Sequence, residues 1–255
     1  MNKQQLQTAY EQILSTPEAA FLQDEARQAG HSKDYSGLFL TSVREGYADA
    51  SNKVMIVGSE TAGWDPLKRS EDIADGLSGL PWQKTYVTRS MHAHSKLFAG
   101  CLDQKNRDRG HTFMNYVRDI AAVAGRDGLI YTNLFCFDWR KGSPVRSPEF
   151  DRVRTLSAQL LNAQVDVLKP DVIIFANGIS SAGYRREFFP VGPGGRCSAA
   201  AVQHETIRSH YLWEFTLDER IPCLRVHHPS ARRKEAGDGR RAAISRLAAL
   251  LSRAA

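Results

Sequence analysis

The chain lacks long apolar runs and paired cysteines, and each absence argues against one class of protein or site. No stretch approaches the roughly 18 consecutive apolar residues of a membrane helix, so no spanning segment is expected. The first residues, MNKQQLQTAYEQIL, show no charged-then-apolar leader pattern, which predicts a cytoplasmic protein. The four cysteines, at positions 101, 136, 197 and 223, include no CxxC pair, and we predict that all four are buried thiols.

Internal repeats and long linkers are also missing, while strands and helices alternate along the sequence. This order predicts a three-layer α/β/α fold with a mostly parallel central sheet. We divide the chain into a helical extension over residues 1–50 and an α/β domain over residues 51–255. The predicted helices cover residues 3–29 (one helix or a pair), 112–124, 150–168 and 239–255, the last with Ile244, Leu247 and Leu251 on its buried side. The predicted strands cover residues 54–58, 129–135, 172–178, 213–217 and 223–227, and the long loops cover much of 65–95 and 189–200.

The positive charge is concentrated at one end of the chain. The net charge is +6, and residues 225–255 alone hold eight Lys or Arg against two Asp or Glu, so residues 1–224 are balanced. A basic patch of this kind attracts a polyanion such as DNA. The alternative is a solvated helix face, and both descriptions can hold together.

Two buried strands end in turns that carry chemistry. VMIVG is followed by Ser59 and Glu60, and LRV is followed by His227, His228, Pro229 and Ser230. Open α/β sheets bind their ligands at the carboxyl ends of parallel strands. We therefore expect a carboxylate from one strand end and an imidazole from another to face one crevice, which is typical of an enzyme.

Four segments resemble, in the same order, the motifs of the uracil-DNA glycosylase superfamily. They are the Gly-polar-acid turn at residues 58–63, the strand YTNLF containing Asn133, the element LKPDVIIFANG at residues 168–178, and HPS at residues 228–230. The resemblance covers roughly residues 52–250. It implies the fold of that superfamily and a DNA glycosylase that hydrolyses the N-glycosidic bond of a flipped-out pyrimidine, leaving an abasic site.

The resemblance also implies a role for individual residues. Glu60 would orient water below the sugar and stabilise the oxocarbenium ion, and His228 would hydrogen-bond the carbonyl oxygen of the departing base. Asn133 would read the edge of the pyrimidine, with backbone N–H groups near Ser59 and Glu60 completing the contacts. The remaining candidates for base contact or stacking are Gly63, Trp64, Trp82 and Phe135. The segment after HPS would enter the DNA groove, which assigns DNA contacts to Ser230, Arg232, Arg233 and Lys234.

Structural roles stay open for several of these side chains. Glu60 could instead cap the following helix, although Asp65 is a rival for that cap. Asn133 could bond loop backbone, and Asn177 is as compatible with structure as with function. We interpret His227 as a packed core histidine.

Two departures from the family pattern bear on substrate and cofactor. Members selective for uracil carry a tyrosine in the first motif, where this chain has Ala62 or Gly63. The small residue predicts a base bulkier than uracil, with glucosylated hydroxymethylcytosine of phage DNA as one option. The paired cysteines of cluster-bearing members are missing, and His92 and His94 lack a third ligand, so we predict no cofactor and no metal. We interpret His92 and His94 as surface or pocket residues.

The prediction is a monomeric, metal-independent, monofunctional DNA glycosylase with DNA as its partner and no membrane association. Lyase chemistry is not expected, because no lysine lies in a matching motif. Two alternatives remain: a catalytically inactive binder of damaged or modified DNA, and a hydrolase of free nucleosides or nucleotides.

Overall fold

A computed structural model describes residues 2–22, 34–107, 110–198, 204 and 206–252. Within these residues the chain forms seven α-helices and five strands. The helices are α1 (Asn2–Leu14), α2 (Pro66–Arg69), α3 (Trp82–Asp103), α4 (Thr112–Ala124), α5 (Phe150–Leu168), α6 (Ala182–Phe188) and α7 (Lys234–Leu251). The strands are β1 (Val54–Gly58), β2 (Leu129–Asn133), β3 (Val172–Phe175), β4 (Leu212–Leu217) and β5 (Ile221–Val226). In this part of the chain, none of the helices has both the length and the apolar character required to cross a bilayer.

The five strands form one mixed sheet in the order β2-β1-β3-β5-β4. β1 runs parallel to β3, with Val54 opposite Val172, and β3 runs parallel to β5, with Ile173 opposite Cys223. β4 pairs with β5 in the antiparallel direction and forms an edge. Every residue of β1, β2 and β3 is buried, as expected for strands covered on both faces. The mostly parallel sheet is confirmed and is consistent with a three-layer α/β fold.

The chain divides into two compact units. Unit 1 contains Met1–Arg44, Glu60–Ala99 and Thr132–Lys169, and unit 2 contains Glu45–Ser59, Gly100–Tyr131 and Pro170–Ala255. The predicted boundary at residue 50 stays a prediction. In unit 1, α1 packs against α5; in unit 2, α7 packs against α4, β4 and β5.

In unit 1 a helix binds an extended segment through polar side chains. Residues 36–43 are buried, and three alternate backbone N–H groups there point at α3. Leu38 N donates to the Tyr86 hydroxyl (2.9 Å), Leu40 N to Ser90 Oγ (3.2 Å) and Ser42 N to His94 Nδ1 (3.1 Å). The spacings of the donors and acceptors match, because four helical residues rise about 6 Å and two extended residues advance about 6.6 Å.

This arrangement corrects two predictions. Much of the stretch predicted as a long loop is helix α3, and short helical turns at Glu71–Ile73 and Asp75–Leu77 precede it. His94, predicted to lie on the surface or in a pocket, is fully buried because it accepts the Ser42 N–H and packs between Phe39 and Phe98. His92 does lie toward the surface, where it pairs with Asp72 at 2.9 Å.

Other predicted elements fit with small changes. The helices over 112–124 and 150–168 have the predicted bounds, whereas β2 ends at Asn133 and α7 begins five residues early, at Lys234. Leu247 and Leu251 are buried, but Ile244 is partly exposed. Cys136, Cys197 and Cys223 are buried free thiols, while Cys101 is only half-buried. Residues 23–29 of the predicted N-terminal helices lie outside the described residues.

Candidate functional site

The turn after β1 is organised in unit 1 by a carboxylate that the sequence analysis missed. Asp138, 1% exposed, accepts hydrogen bonds from Thr61 Oγ1 (2.8 Å), Gly63 N (2.7 Å) and Lys141 N (2.9 Å). Gly63 has φ of +75°, a conformation that glycine adopts without strain. Asp138 therefore fixes the path of the turn that carries Glu60. An acid directly after the buried run LFCF was the available sequence signal.

Removing this carboxylate should destabilise the protein. In Asp138→Ala three buried or half-buried donors lose a charged acceptor, so we expect the free energy of unfolding to fall by about 3 kcal/mol. Urea denaturation measures the change. The matched control is Asp103→Ala, whose exposed pair with Arg126 is expected to contribute less than about 1 kcal/mol. Equal effects of the two substitutions would contradict the organising role.

The helix cap in this turn belongs to Asp65 and not to Glu60. Asp65 is the N-cap residue of α2, and its Oδ1 accepts the Lys68 N–H at 3.0 Å. The capping alternative for Glu60 is thereby answered. Glu60 is half-buried, and its Oε2 atom is fully buried.

The aromatic candidates of unit 1 are packed to different extents. Trp64 is buried, donates from Nε1 to Leu38 O (3.1 Å) and packs edge-on against Phe39. Phe135 is buried against Phe150, whereas Trp82 begins α3 and is half-buried. Trp64 thus supports the turn, and stacking of a base on any of the three stays a prediction.

Asn133 is the most unusual polar group of unit 1. It is the last residue of β2 and is 5% exposed, yet neither Oδ1 nor Nδ2 has a hydrogen-bond partner among the described residues. The adjacent Thr132 is also buried, but its hydroxyl donates to Gln164 Oε1 at 2.6 Å. In the described part of the chain Asn133 bonds no loop backbone, which was its alternative role. Its amide is therefore available to a ligand that offers both a donor and an acceptor.

In unit 2 the imidazole of His228 is held in a defined orientation. Its Nδ1 accepts the Ser230 N–H at 3.3 Å and lies 2.7 Å from Ser230 Oγ, and its ring packs against Phe113. Because Nδ1 accepts, the proton of the neutral ring resides on Nε2, which is then a donor. Burial, and to a lesser extent the nearby charge of Arg240, lower the pKa of His228. Arg240 itself donates to the carbonyl oxygens of His228 (3.2 Å) and Ala231 (3.3 Å).

The titration of His228 tests this tautomer. With its pKa lowered in the folded state, the ring is neutral at pH 7, and imidazole ¹⁵N NMR should show a midpoint below 6.5 with Nε2 protonated. The unfolded chain binds the proton more readily, so the contribution of His228 to stability is complete above about pH 6.5 and is lost as the pH falls through the folded pKa. A midpoint above 6.5, or a neutral ring protonated at Nδ1, would contradict this arrangement.

The end of β3 lies beside His228 in unit 2. A side chain at Gly178, which has φ of +79°, would meet His228 N at 3.8 Å. The preceding Asn177 is buried, and both atoms of its amide lack a partner among the described residues. Ser59, at the end of β1, has its hydroxyl 3.3 Å from that of Ser181. Asn177, which the sequence left equally compatible with a structural and a functional role, therefore joins His228 as a candidate.

His227 makes ring contacts but is only half-buried and lies just beyond the end of β5, so the prediction of a core histidine is wrong. Its ring lies against His210, with 4.9 Å between ring centroids, and against Tyr211. Burial first, and then the neighbouring charge of His210, lower the pKa of His227. The ring of His227 is therefore held by contacts with His210 and Tyr211, whereas the ring of His228 is held by Ser230 and Phe113.

The basic segment of unit 2 is only partly neutralised. Arg246 forms a two-pronged pair with Glu214, and Arg241 pairs with Asp238. Arg232, Arg233 and Lys234 are exposed and have no ion-pair partner in the described part of the chain. They precede or begin the 18-residue helix α7, whose amino-terminal dipole also favours an anion. The three side chains form a surface suited to phosphate groups.

Comparison with known proteins identifies no relative: no protein-family model matches this chain, and no curated protein matches it.

Proposed function

We propose that the protein is a monofunctional DNA glycosylase. It hydrolyses the N-glycosidic bond of a flipped-out pyrimidine and leaves an abasic site. The roles proposed below for Glu60, Asn133 and His228 are those that the resemblance of the sequence to the uracil-DNA glycosylase superfamily implies.

The buried amide of Asn133 is the observation that carries the proposal. An unpaired buried donor or acceptor costs about 1–3 kcal/mol, and Asn133 leaves one of each. Native proteins rarely retain such groups unless a ligand or ordered water pairs with them. The Watson–Crick edge of a pyrimidine offers an acceptor beside a donor, which matches a carboxamide.

His228 would stabilise the departing base. When the C1′–N bond breaks, its electron pair moves onto the pyrimidine, and the charge accumulates on the carbonyl oxygens. A neutral imidazole with Nε2–H can donate a hydrogen bond to such an oxygen without first being protonated. A preorganised donor of this kind is typically worth about 2.7–4 kcal/mol in the transition state.

Glu60 would act on the sugar. A carboxylate stabilises the oxocarbenium ion electrostatically and orients a water molecule towards C1′. The water oxygen then bonds to C1′ and a water proton passes to the carboxylate, which later releases it to solvent. The base anion takes up a proton from solvent and leaves as the neutral base. The atoms and charges balance without a metal or a redox partner.

The exposed segment formed by Arg232, Arg233 and Lys234 would hold the DNA. Extruding a base costs a few kcal/mol, and contacts with phosphates on either side can offset that cost. A guanidinium could also fill the space that the base leaves. The unpaired charges of this segment support the proposal.

The proposed substrate is uracil or a pyrimidine with a bulkier group at carbon 5, such as glucosylated hydroxymethylcytosine. Ala62 and Gly63 are exposed and small, and the positive φ of Gly63 disfavours a tyrosine at that position. The first-motif turn therefore offers no large side chain to block a substituent at carbon 5.

Asn133→Leu should separate function from stability. Leucine has the same branched arrangement of side-chain heavy atoms and removes both unpaired groups, so the free energy of unfolding should rise by about 1 kcal/mol or more. The rate of base release should fall at least tenfold, because the pyrimidine edge loses its partner. Denaturation and single-turnover cleavage of labelled duplexes measure the two effects.

The neighbouring Thr132→Val is the matched control. It breaks a hydrogen bond that is already made, so stability should fall by about 1 kcal/mol while base release stays unchanged. If Asn133→Leu lowers stability and leaves base release intact, Asn133 is a structural residue and the proposal loses its main support.

The same assay distinguishes the alternatives. A glycosylase converts the duplex to an alkali-labile abasic site, with affinity falling by about 0.9 log units per phosphate contact as log salt rises. A hydrolase of free nucleosides would show little dependence on duplex length or salt. A DNA-binding protein without activity would retain the salt dependence and form no abasic site.

A further inference from the structure

Unit 2 contains a pocket that the proposed reaction does not use. It has a volume of about 610 Å³, within the range of small-molecule sites. α6, the loop after it and strands β4 and β5 form its walls, and its chemistry-bearing side chains are Arg185, Arg186, Ser198, Trp213, Phe215 and Arg225.

The pocket is strongly cationic. Three arginines line it, and no acid is among the described residues that do so. Burial, followed by the charges of Arg185 and Arg186, lowers the pKa of Arg225 to about 10. Arg225 donates at 2.6 Å to the carbonyl oxygens of Ser209 and His210, so its charge is fixed in place. The cluster would be stabilised by a bound anion.

One of these arginines has a buried N–H donor without a hydrogen-bond partner in the described part of the chain. Arg185 is 6% exposed, and its Nε has no hydrogen-bond partner in the described part of the chain. Its guanidinium carbon lies 4.2 Å from the centre of the Phe215 ring. Aromatic contact orients the group but does not satisfy its N–H donors, and a buried charged donor left unpaired is costly.

The pocket also has an aromatic wall. Trp213 and Phe215 are two residues apart on β4 and therefore face the same side of the sheet. Trp213 lies opposite Arg225 in the β4–β5 register and is half-buried, which leaves part of its indole exposed. An exposed indole beside arginines suits a ligand that combines a planar ring with an anionic group.

We propose that this pocket binds a nucleoside phosphate, with the phosphate against Arg185 and Arg186 and the base against Trp213. The shared chemistry could come from a free nucleotide or from one nucleotide of a DNA strand. The inference does not depend on the proposed glycosylase activity, because no residue of that reaction lines the pocket.

Calorimetric titration of the full chain with thymidine 5′-monophosphate tests the proposal. Saturable binding is expected, with thymidine and inorganic phosphate each binding at least tenfold more weakly.

Arg186→Gln should weaken nucleotide binding about tenfold by removing a charged donor. Trp213→Leu should weaken it about fivefold or more by removing the stacking surface, with little effect on phosphate alone. Arg220→Gln, an exposed arginine at the β4–β5 turn, should change nothing.

A short single-stranded oligonucleotide distinguishes the sources. Tight competition with the nucleotide identifies a DNA strand as the ligand, and failure to compete identifies a free nucleotide. The proposal is contradicted if neither probe binds saturably. It is also contradicted if binding is unchanged in Arg186→Gln or in Trp213→Leu. Binding lost in His228→Ala but kept in Arg186→Gln would place the ligand elsewhere and also overturn it. Base release by His228→Ala is measured in a separate assay. Failure of the glycosylase proposal therefore does not affect the interpretation of nucleotide binding.

Discussion

Replacing Glu60 by glutamine is expected to lower the rate of base release by about 10²–10⁴-fold. The amide matches the carboxylate in shape, but it carries no charge to stabilise the sugar cation and accepts no proton from water. Single-turnover kinetics on a labelled duplex measure the chemical step directly.

DNA affinity should stay within about threefold in Glu60→Gln, because the substitution removes no contact with phosphate. Glu71→Gln is the matched control, since Glu71 is an exposed acid of unit 1 that begins a short helical turn. A rate unchanged in Glu60→Gln would exclude Glu60 from the reaction. A rate lowered equally in both variants would point to a general effect of charge.

His228→Ala is expected to reduce the same rate by about 10²–10³-fold. The substitution removes the Nε2–H donor from the carbonyl oxygen on which the leaving base accumulates charge. His228→Gln retains a donor and should recover part of the loss, whereas a purely structural role would show no such recovery. Rates for both variants come from the single-turnover assay.

His92→Ala controls for the loss of an imidazole, because His92 lies at the surface of unit 1 in a pair with Asp72. It should retain the full rate. Since alanine also removes a ring contact of Phe113, a melting curve for His228→Ala accompanies the kinetics. A folded His228→Ala protein with undiminished base release would contradict the assigned role.

Local signals allowed much of the fold to be predicted. α4 ends at Gly125, which has φ of +85°, and α5 places apolar residues at helical spacing, so both helices were predicted with their observed bounds. The apolar runs VMIVG and VIIF could only be buried strands of a parallel sheet. The turns at the ends of β1 and β5 followed from the same reasoning.

Helix α3 was not predicted, because its buried face mixes polar side chains with apolar ones. Tyr86, Ser90 and His94 stand at i, i+4 and i+8, and each accepts a backbone N–H from the buried segment over residues 36–43. Val87, Met91 and Phe98 are buried on the same helix, but the polar acceptors between them interrupt the apolar pattern that indicates a helix. The partner segment is about 50 residues away in sequence, so no local pattern connects the two.

The residue types of the candidate site could be named from the sequence, but the contacts that hold those residues in place could not. Asp138 acts through backbone and hydroxyl donors 75 and 77 residues away, and Arg240 acts through the carbonyl oxygens of His228 and Ala231. The unpaired amides of Asn133 and Asn177 are likewise invisible in sequence, because lack of a partner is a property of the folded surroundings. Packing of Trp64 on Phe39 similarly depends on the distant segment that contains Leu38.

The central claim is that the carboxylate of Glu60 and the imidazole of His228 serve one sugar–base bond in DNA. Mass spectrometry of the free bases released from a panel of DNAs, including uracil-containing and hypermodified phage DNA, tests it most directly. The account predicts that the wild-type protein releases an intact pyrimidine base from at least one of these DNAs, and that Glu60→Gln and His228→Ala each suppress that release. Absence of a released base from every DNA tested, or equal release by the wild-type protein and both variants, would contradict it.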